Sequence, residues 1–323
     1  MTTADLINKV LQVVIALSVF AAVVGLVLFL VDRAPKRGRD VLQLIAFVAP
    51  AVILLAIGLI YPAIRTSIGA FADPSGDFVG LENFVWAFTQ PAGLVSLRNT
   101  LIWVVLVPLL STTIGLAYAV FIDKSRGERV YKALVFMPLA ISFVGAGIIW
   151  RFVYEYRGPG NEQIGLLNQI VVWFGGEPVR WLQDEPLNNL FLIIVMIWIQ
   201  TGFAMVVLSA AIKGVPVEQL EAAELDGTNP WQRFRNVTLP GIRGSLVVVV
   251  TTITIATLKV FDIVRTMTAG NYNTSVVANE MYTQAFRAGE AGRGSALALI
   301  LFLMVLPIVV YNIRVLRQQK EIR

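Results

Sequence analysis

Apolar residues run in long stretches along this chain, and most charges gather between them. Seven such stretches stand out, at 10–31, 44–64, 101–122, 133–152, 190–212, 245–264 and 296–313. Each is close to the about 20 residues that a helix needs to cross a bilayer. The second carries Pro50 and Pro62; the third carries Pro108 and a polar patch, Ser111-Thr112-Thr113. Interior prolines are tolerated in such helices when neighbours satisfy the freed carbonyls. The sixth is the least regular: only 245–258 is uncharged, and Lys259, Asp262 and Arg265 crowd its end. The pattern predicts an all-α integral membrane protein with about seven transmembrane helices.

Composition agrees with that solvent. Hydrophobic residues make up 57% and charged residues 15%, which excludes a soluble globular chain. Cysteine is absent, so disulfides, iron–sulfur clusters and thiolate chemistry are excluded. Histidine is absent too, which removes imidazole metal ligands and the commonest proton relay. The dipeptide Gly-Lys never occurs, so the usual phosphate-cradling loop for hydrolysing ATP is missing. No cofactor is expected on this chain. The first apolar run is longer than the hydrophobic part of a secretory signal and is followed by FLVDRAPKRGRD, which offers no small-x-small cleavage site. It is expected to be retained as a membrane helix.

The net charge of +5 points to topology rather than to nucleic acid. Segments 32–43, 123–132, 213–243 and 314–323 hold four Lys or Arg each, sixteen of the chain's 26. The other ten are spread over longer connections. The richer set is expected in the cytoplasm. The N-terminus then lies outside and the C-terminus inside, in agreement with an odd number of spans. Connections 65–100, 153–189 and 265–295 fall outside and are too short to fold alone as typical domains.

One polar connection carries a spaced motif. Residues 221–240 read EAAELDGTNPWQRFRNVTLP. Pro216 suits the first turn of a helix, and Glu218, Glu221 and Glu224 follow at helical spacing, two of them near its N-terminus, where negative charge is favoured. Ala222 and Ala223 leave a smooth surface. Gly227 can adopt the left-handed conformation that ends a helix, and Asn229-Pro230 reads as the cap and first residue of another. Trp231, Phe234 and Val237 fall on one side of it. Glu221-Ala222-Ala223, three residues, Gly227, nine residues, then Val237-x-Leu239-Pro240 resembles the EAA signature of importer-type ABC permeases, with Val237 where Ile is usual. The resemblance implies that 213–243 is a cytoplasmic coupling loop docking on an ATPase, with Glu221, Ala222, Ala223, Asp226, Gly227, Leu239 and Pro240 as its coupling residues.

The resemblance extends from about residue 42 to the end, which is similar to the membrane subunits of maltose- and α-glucoside-type carbohydrate-uptake permeases. Phe261-Asp262 and Met267-Thr268 match pieces of that family, and Glu82-Asn83 with Arg98-Asn99-Thr100 resemble its first external loop. The relatives' Gly-Gly-Pro after Thr268 is missing here, which leaves that turn without its usual residues. The family organisation implies a six-helix permease domain over 42–323 and an added N-terminal helix and cytoplasmic connector over 1–41. Carried onto this sequence, the family's sugar-contacting positions fall on Gln200 and Phe203 in the fifth stretch and on Ile253, Ala256, Thr257 and Val260 in the sixth. Gln200 can donate and accept hydrogen bonds, and Phe203 can stack on a sugar ring; the plainer alternative is helix–helix packing. Lys259 and Asp262 are candidates for an ion pair near the outer surface, or Lys259 for snorkelling.

The resemblance therefore implies half of the translocation path of an ATP-driven sugar importer in a bacterial or archaeal cell membrane. The implied substrate is a disaccharide or α-glucoside, with glycerol-phosphate or another oligosaccharide as alternatives. The implied partners are a second related permease subunit, two ABC ATPase subunits that bind ATP and Mg, and an extracellular sugar-binding protein. A secondary, ion-coupled transporter is the alternative class; it would show an ion-coupling carboxylate within a span and an internal repeat, and neither is found. A non-transporting membrane scaffold is the third.

Overall fold

A chain segment in lipid must satisfy its own backbone, so uncharged runs of this length fold as helices. The computed structural model describes residues 3–32, 39–122 and 125–321, and among these every regular element is helical. Packing divides the chain into two compact units, 1–65 and 66–323.

The first unit contains helix α1 (Thr3–Asp32) and α2 (Arg39–Leu55). A widened π-helical turn, Ala56–Ile60, continues α2 into α3 (Tyr61–Gly69), which runs past the unit boundary. The widened turn sits just before Pro62, whose ring cannot be accommodated against a regular preceding turn. Large apolar side chains here lie bare, Phe20 at 69% and Leu54 at 71% exposed, as suits a surface solvated by lipid.

The second unit holds α4 (Glu82–Thr89), α5 (Pro91–Ile122), α6 (Glu128–Phe136), α7 (Phe143–Val153), α8 (Leu166–Trp173) and α9 (Asn188–Lys213). It continues with α10 (Val217–Leu225), α11 (Pro230–Arg233), α12 (Leu239–Gly241), α13 (Arg243–Leu258), α14 (Asp262–Met267), α15 (Val277–Tyr282) and α16 (Ala291–Glu321). Among the described residues, five continuous stretches are long and apolar enough to span a bilayer: Ile7–Leu26, Gln43–Gly69, Pro91–Ile122, Asn188–Lys213 and Ala291–Val315. Two bent pairs bring the number to seven when each is counted as one.

Those two pairs differ from the expected spans. The fourth, expected as one helix over 133–152, is broken by a bend of 102°. Pro138 lies in a 3-10 turn, Met137–Ala140, Ile141 is extended, and Ser142 restarts the chain as the cap of α7, its Oγ accepting from the Gly145 N–H at 3.1 Å. The sixth, expected over 245–264, stops at Leu258. Lys259 and Phe261 leave the helical conformation, α14 starts afresh at Asp262, and at its other end α13 is bent by 68° from the preceding α11–α12 segment. Lys259 is exposed and forms no ion pair with Asp262, so that expected pair is corrected.

The core of this unit lies where α5, α9 and α13 meet, with Trp103, Leu192, Met196, Ile199, Leu208 and Ile253 essentially without exposed surface. In lipid such helices associate through close packing rather than hydrophobic drive, and small residues permit it. A Cβ on Gly115 of α5 would lie 2.6 Å from the Ala204 Cβ of α9, too close to exist. The buried Trp103 indole donates to Asn189 Oδ1 at 2.8 Å, satisfying a group that would otherwise be orphaned.

The loop between α14 and α15 solves the missing Gly-Gly-Pro differently. Ala269, Tyr272 and Asn273 adopt left-handed φ values of 56°, 55° and 55°, beside Gly270 at 86°. Such conformations are unfavourable for residues with a Cβ and persist only where surroundings impose them. Here Asn99 of α5 donates to the carbonyls of Asn273 and Ser275 at 2.7 and 2.9 Å, and Asn188 of α9 to that of Tyr272 at 2.7 Å. Thr100 Oγ1 accepts from Val277 N–H at 2.9 Å. Asn83 works alike on Ala70 and Ala72, donating at 3.1 and 2.9 Å. Asn83, Asn99 and Thr100, the residues that resemble the family's first external loop, are thus clamps on backbone.

Candidate coupling surface and solute path

Helix α9 ends in Lys213 and Gly214, and the chain turns back through buried Val215. Pro216 stands one residue outside α10, as its cap rather than within its first turn. Helix α10 presents Glu218, Glu221, Ala222, Glu224 and Asp226 outward, while Ala223, 7% exposed, faces the segment behind it. The helix closes on Gly227 at φ 77°. A Cβ there would meet nothing within 4 Å, so the requirement for glycine is conformational and not spatial. Thr228 seals the turn, its Oγ1 donating to the Ala223 carbonyl at 2.6 Å.

Asn229 caps α11. Its side chain accepts from the Gln232 N–H at 2.9 Å, and the Gln232 side chain accepts in return from the Asn229 N–H at 2.9 Å, a reciprocal capping box. A π-helical turn, Phe234–Thr238, then precedes Pro240 as its counterpart precedes Pro62. Glu224 and Arg233 pair at 2.7 Å and clip α10 to α11. The outcome is an open groove of about 470 Å³ walled by Ala222, Ala223 and Asp226 on one side and Val237, Pro240 and Gly241 on the other. Residues separated along the motif thus share one groove. Glu221 is exposed without lining it, and Leu239 is partly buried. Two large apolar side chains, Leu225 at 90% and Trp231 at 67% exposed, stand out from the same surface.

Charge ties the base of this surface to the bundle. Glu128 Oε1, at the start of α6, lies 2.6 Å from both Lys132 Nζ and Lys213 Nζ, and Lys132 also bonds Ser209 Oγ of α9. The spacing of the motif gave no signal of this link, because its members come from three distant segments.

Of the six candidate path positions, Phe203, Ile253, Ala256 and Val260 belong to the core cluster to which α9 and α13 contribute. Their exposure differs. Ile253 and Thr257 have no exposed surface, Val260 has 4% and Gln200 6%, whereas Phe203 and Ala256 are partly exposed. Thr257 Oγ1 donates to the Ile253 carbonyl of its own helix at 2.7 Å. Gln200 makes no side-chain hydrogen bond among the described residues, which leaves its amide available. In α5, the buried Ser111 and Thr112 hydroxyls have no partner among the described residues, a departure from the rule that buried polar groups are bonded. Farther out, Trp150 packs against Trp198 and Tyr154 at 5.5 and 5.3 Å between ring centroids. Burial pushes the Tyr154 phenol well above its ordinary pKa, so it stays protonated and donates to the Phe191 carbonyl.

Comparison with known proteins bears on this geometry. A family model described as the binding-protein-dependent transport system inner membrane component matches residues 111–321. The chain is 50% identical over 278 residues to the osmoprotective compounds uptake permease protein GgtC of Synechocystis sp., covering 86% of this chain and 100% of that one. It is 48% identical over 270 residues to the alpha-glucoside transport system permease protein AglF of Rhizobium meliloti, covering 83% and 80%. Its fold is similar to a chain of a bacterial ABC transporter involved in alginate import, with a TM-score of 0.75, 23% identity, and 88% and 98% of the two chains covered.

Proposed function

Given that the chain belongs to the family of inner membrane components of binding-protein-dependent transport systems, we propose that it is the permease subunit of an ATP-driven importer for a disaccharide or α-glucoside. The observation that carries this reading is the 48% identity to the alpha-glucoside permease AglF over 80% of its length. The coupling groove supports it locally. In this reading the acidic face of α10, with exposed Leu225 and Trp231, docks on an ATPase subunit that binds ATP and Mg. The chain itself makes and breaks no covalent bond.

One chain carries one such loop, so two ATPases require a second, related permease subunit. An extracellular sugar-binding protein delivers the solute. The six-helix permease domain begins at about residue 42, and residues 1–41 add a helix and a cytoplasmic connector. The path follows Gln200, Phe203, Ile253, Ala256, Thr257 and Val260. Phe203 and Ala256 have the open surface a solute needs, and Gln200 a free amide. Ile253, Thr257 and Val260 form the wall behind them.

Purification with the native partners, followed by reconstitution with the binding protein, tests the reading. The expected result is co-purification of two ATPase subunits and uptake of a labelled α-glucoside that stops without ATP. Uptake driven by an ion gradient alone would make the chain a secondary transporter. A second reading has its own support: the 50% identity to GgtC over its full length favours import of an osmoprotective compound. Competition of disaccharides and osmoprotectants for the same uptake separates the two substrates.

A further inference from the structure

A cleft of about 330 Å³ lies where the end of α7, the segment after α8 and the strained loop after α14 meet, and neither coupling groove nor solute path includes it. Arg151, Arg180 and Arg265, from three separate segments, all line it. None of the three forms an ion pair with a carboxylate among the described residues. Arg180 lies over the Tyr156 ring at 5.3 Å and Arg265 over the Tyr282 ring at 4.7 Å, which fixes their planes without neutralising them. Glu155 is the one acidic residue in the lining, and Asp184 adds a weaker field at Arg180. The walls therefore carry three positive charges against one negative. Trp181 and Tyr272, the latter 49% exposed, supply flat apolar faces.

Guanidinium groups that line one cavity without a carboxylate partner among the described residues are a reason to expect an anion there, because a planar fork matches a carboxylate, sulfonate or phosphate with two parallel hydrogen bonds. The strained loop contributes rigidity: Tyr272 is held by Asn188 through its carbonyl, so the cleft wall is set before a ligand arrives. We propose that this cleft is an oxyanion site, taking the carboxylate, sulfonate or phosphate group of a small ligand between Arg151, Arg180 and Arg265, with the ligand's body against Trp181 and Tyr272. The site is independent of the imported solute, and its occupant is either a soluble anion or the headgroup of an anionic lipid.

The test uses the full chain in phosphatidylcholine nanodiscs at fixed ionic strength, titrated with sodium sulfate, sodium glucuronate and glucose and followed by calorimetry. The two anions are expected to bind saturably, and glucose at least about tenfold more weakly. Arg180→Gln and Arg265→Gln are each expected to weaken the anions about tenfold, the loss that follows from removing a charge-assisted bond. Arg157→Gln, outside the cleft, is expected to change nothing. Arg180 is exposed, so its replacement reports even if Arg265→Gln disturbs folding. Repeating the titration in phosphatidylglycerol discs separates the sources: anion binding that persists identifies a soluble ligand, and binding that disappears identifies a headgroup already in place. Absence of saturable anion binding in phosphatidylcholine, or binding that both cleft variants leave intact, overturns the site.

Discussion

Gly227 shows how much one residue can constrain the coupling surface. Its φ of 77° costs about 1–2 kcal/mol for a residue with a Cβ, and the space around it is empty. Gly227→Leu is therefore expected to loosen the turn and lower ATP-driven uptake while the membrane level stays normal, whereas Gly227→Asn, which tolerates the left-handed region, keeps most of it. A clash would instead make both changes equally harmful. Glu221→Lys is expected to abolish uptake by reversing charge on the exposed face of α10, again at normal membrane level; uptake and ATPase association that both survive would remove Glu221 from docking. Both features could be read in the sequence because caps and left-handed turns are decided by residues within one helical turn. Asn99 could not, since its acceptors lie 174 and 176 positions away. Asn99→Leu strands two carbonyls and is expected to destabilise the purified chain by about 2 kcal/mol, measured as a lowered unfolding midpoint in detergent.

At the scale of elements, apolar run length located the helices but not their breaks. The spans at 101–122 and 190–212 were legible because α5 and α9 are continuous. The stretch 133–152 was not, because a proline within an apolar run is equally compatible with a kinked membrane helix and with the 102° break that Pro138 and the Ser142 cap produce. The same limit affects the path. Helical spacing put Ile253, Ala256, Thr257 and Val260 on one face, yet spacing does not say whether a face meets a solute or another helix. Burial differs along that face, with Ile253 and Thr257 closed off and Ala256 partly exposed. Phe203→Ala is expected to lower transport per assembled complex several-fold, and Gln200→Ala to weaken the apparent affinity for the sugar. Thr257→Val removes a bond that α13 makes to itself, so it is expected to reduce complex yield and leave the normalised rate unchanged. Reconstituted vesicles, with rates divided by intact complex, check all three; a normal rate in Phe203→Ala would move the path toward Thr112 and Trp150.

For the whole molecule, orientation is argued from charge. Sixteen of 26 Lys and Arg lie in four short connections, and by the rule that such segments remain in the cytoplasm the candidate coupling loop is expected there too. Reporters fused after Ala34 or Arg323, both outside the described residues, are expected to signal cytoplasm, and one within 158–162 the exterior; an external signal from the C-terminal fusion would overturn the topology together with the docking assignment. The loop after α14 adds a matter of timing. Two of its three left-handed side-chain-bearing residues, Tyr272 and Asn273, are held by donors from α9 and α5, helices that are far apart in the chain. Until those two helices have met, the loop lacks the donors that hold Tyr272 and Asn273. It is therefore among the last parts of the chain to set, and hydrogen exchange at its amides would act as a clock for assembly of the bundle, slowing only once the helices around it have closed.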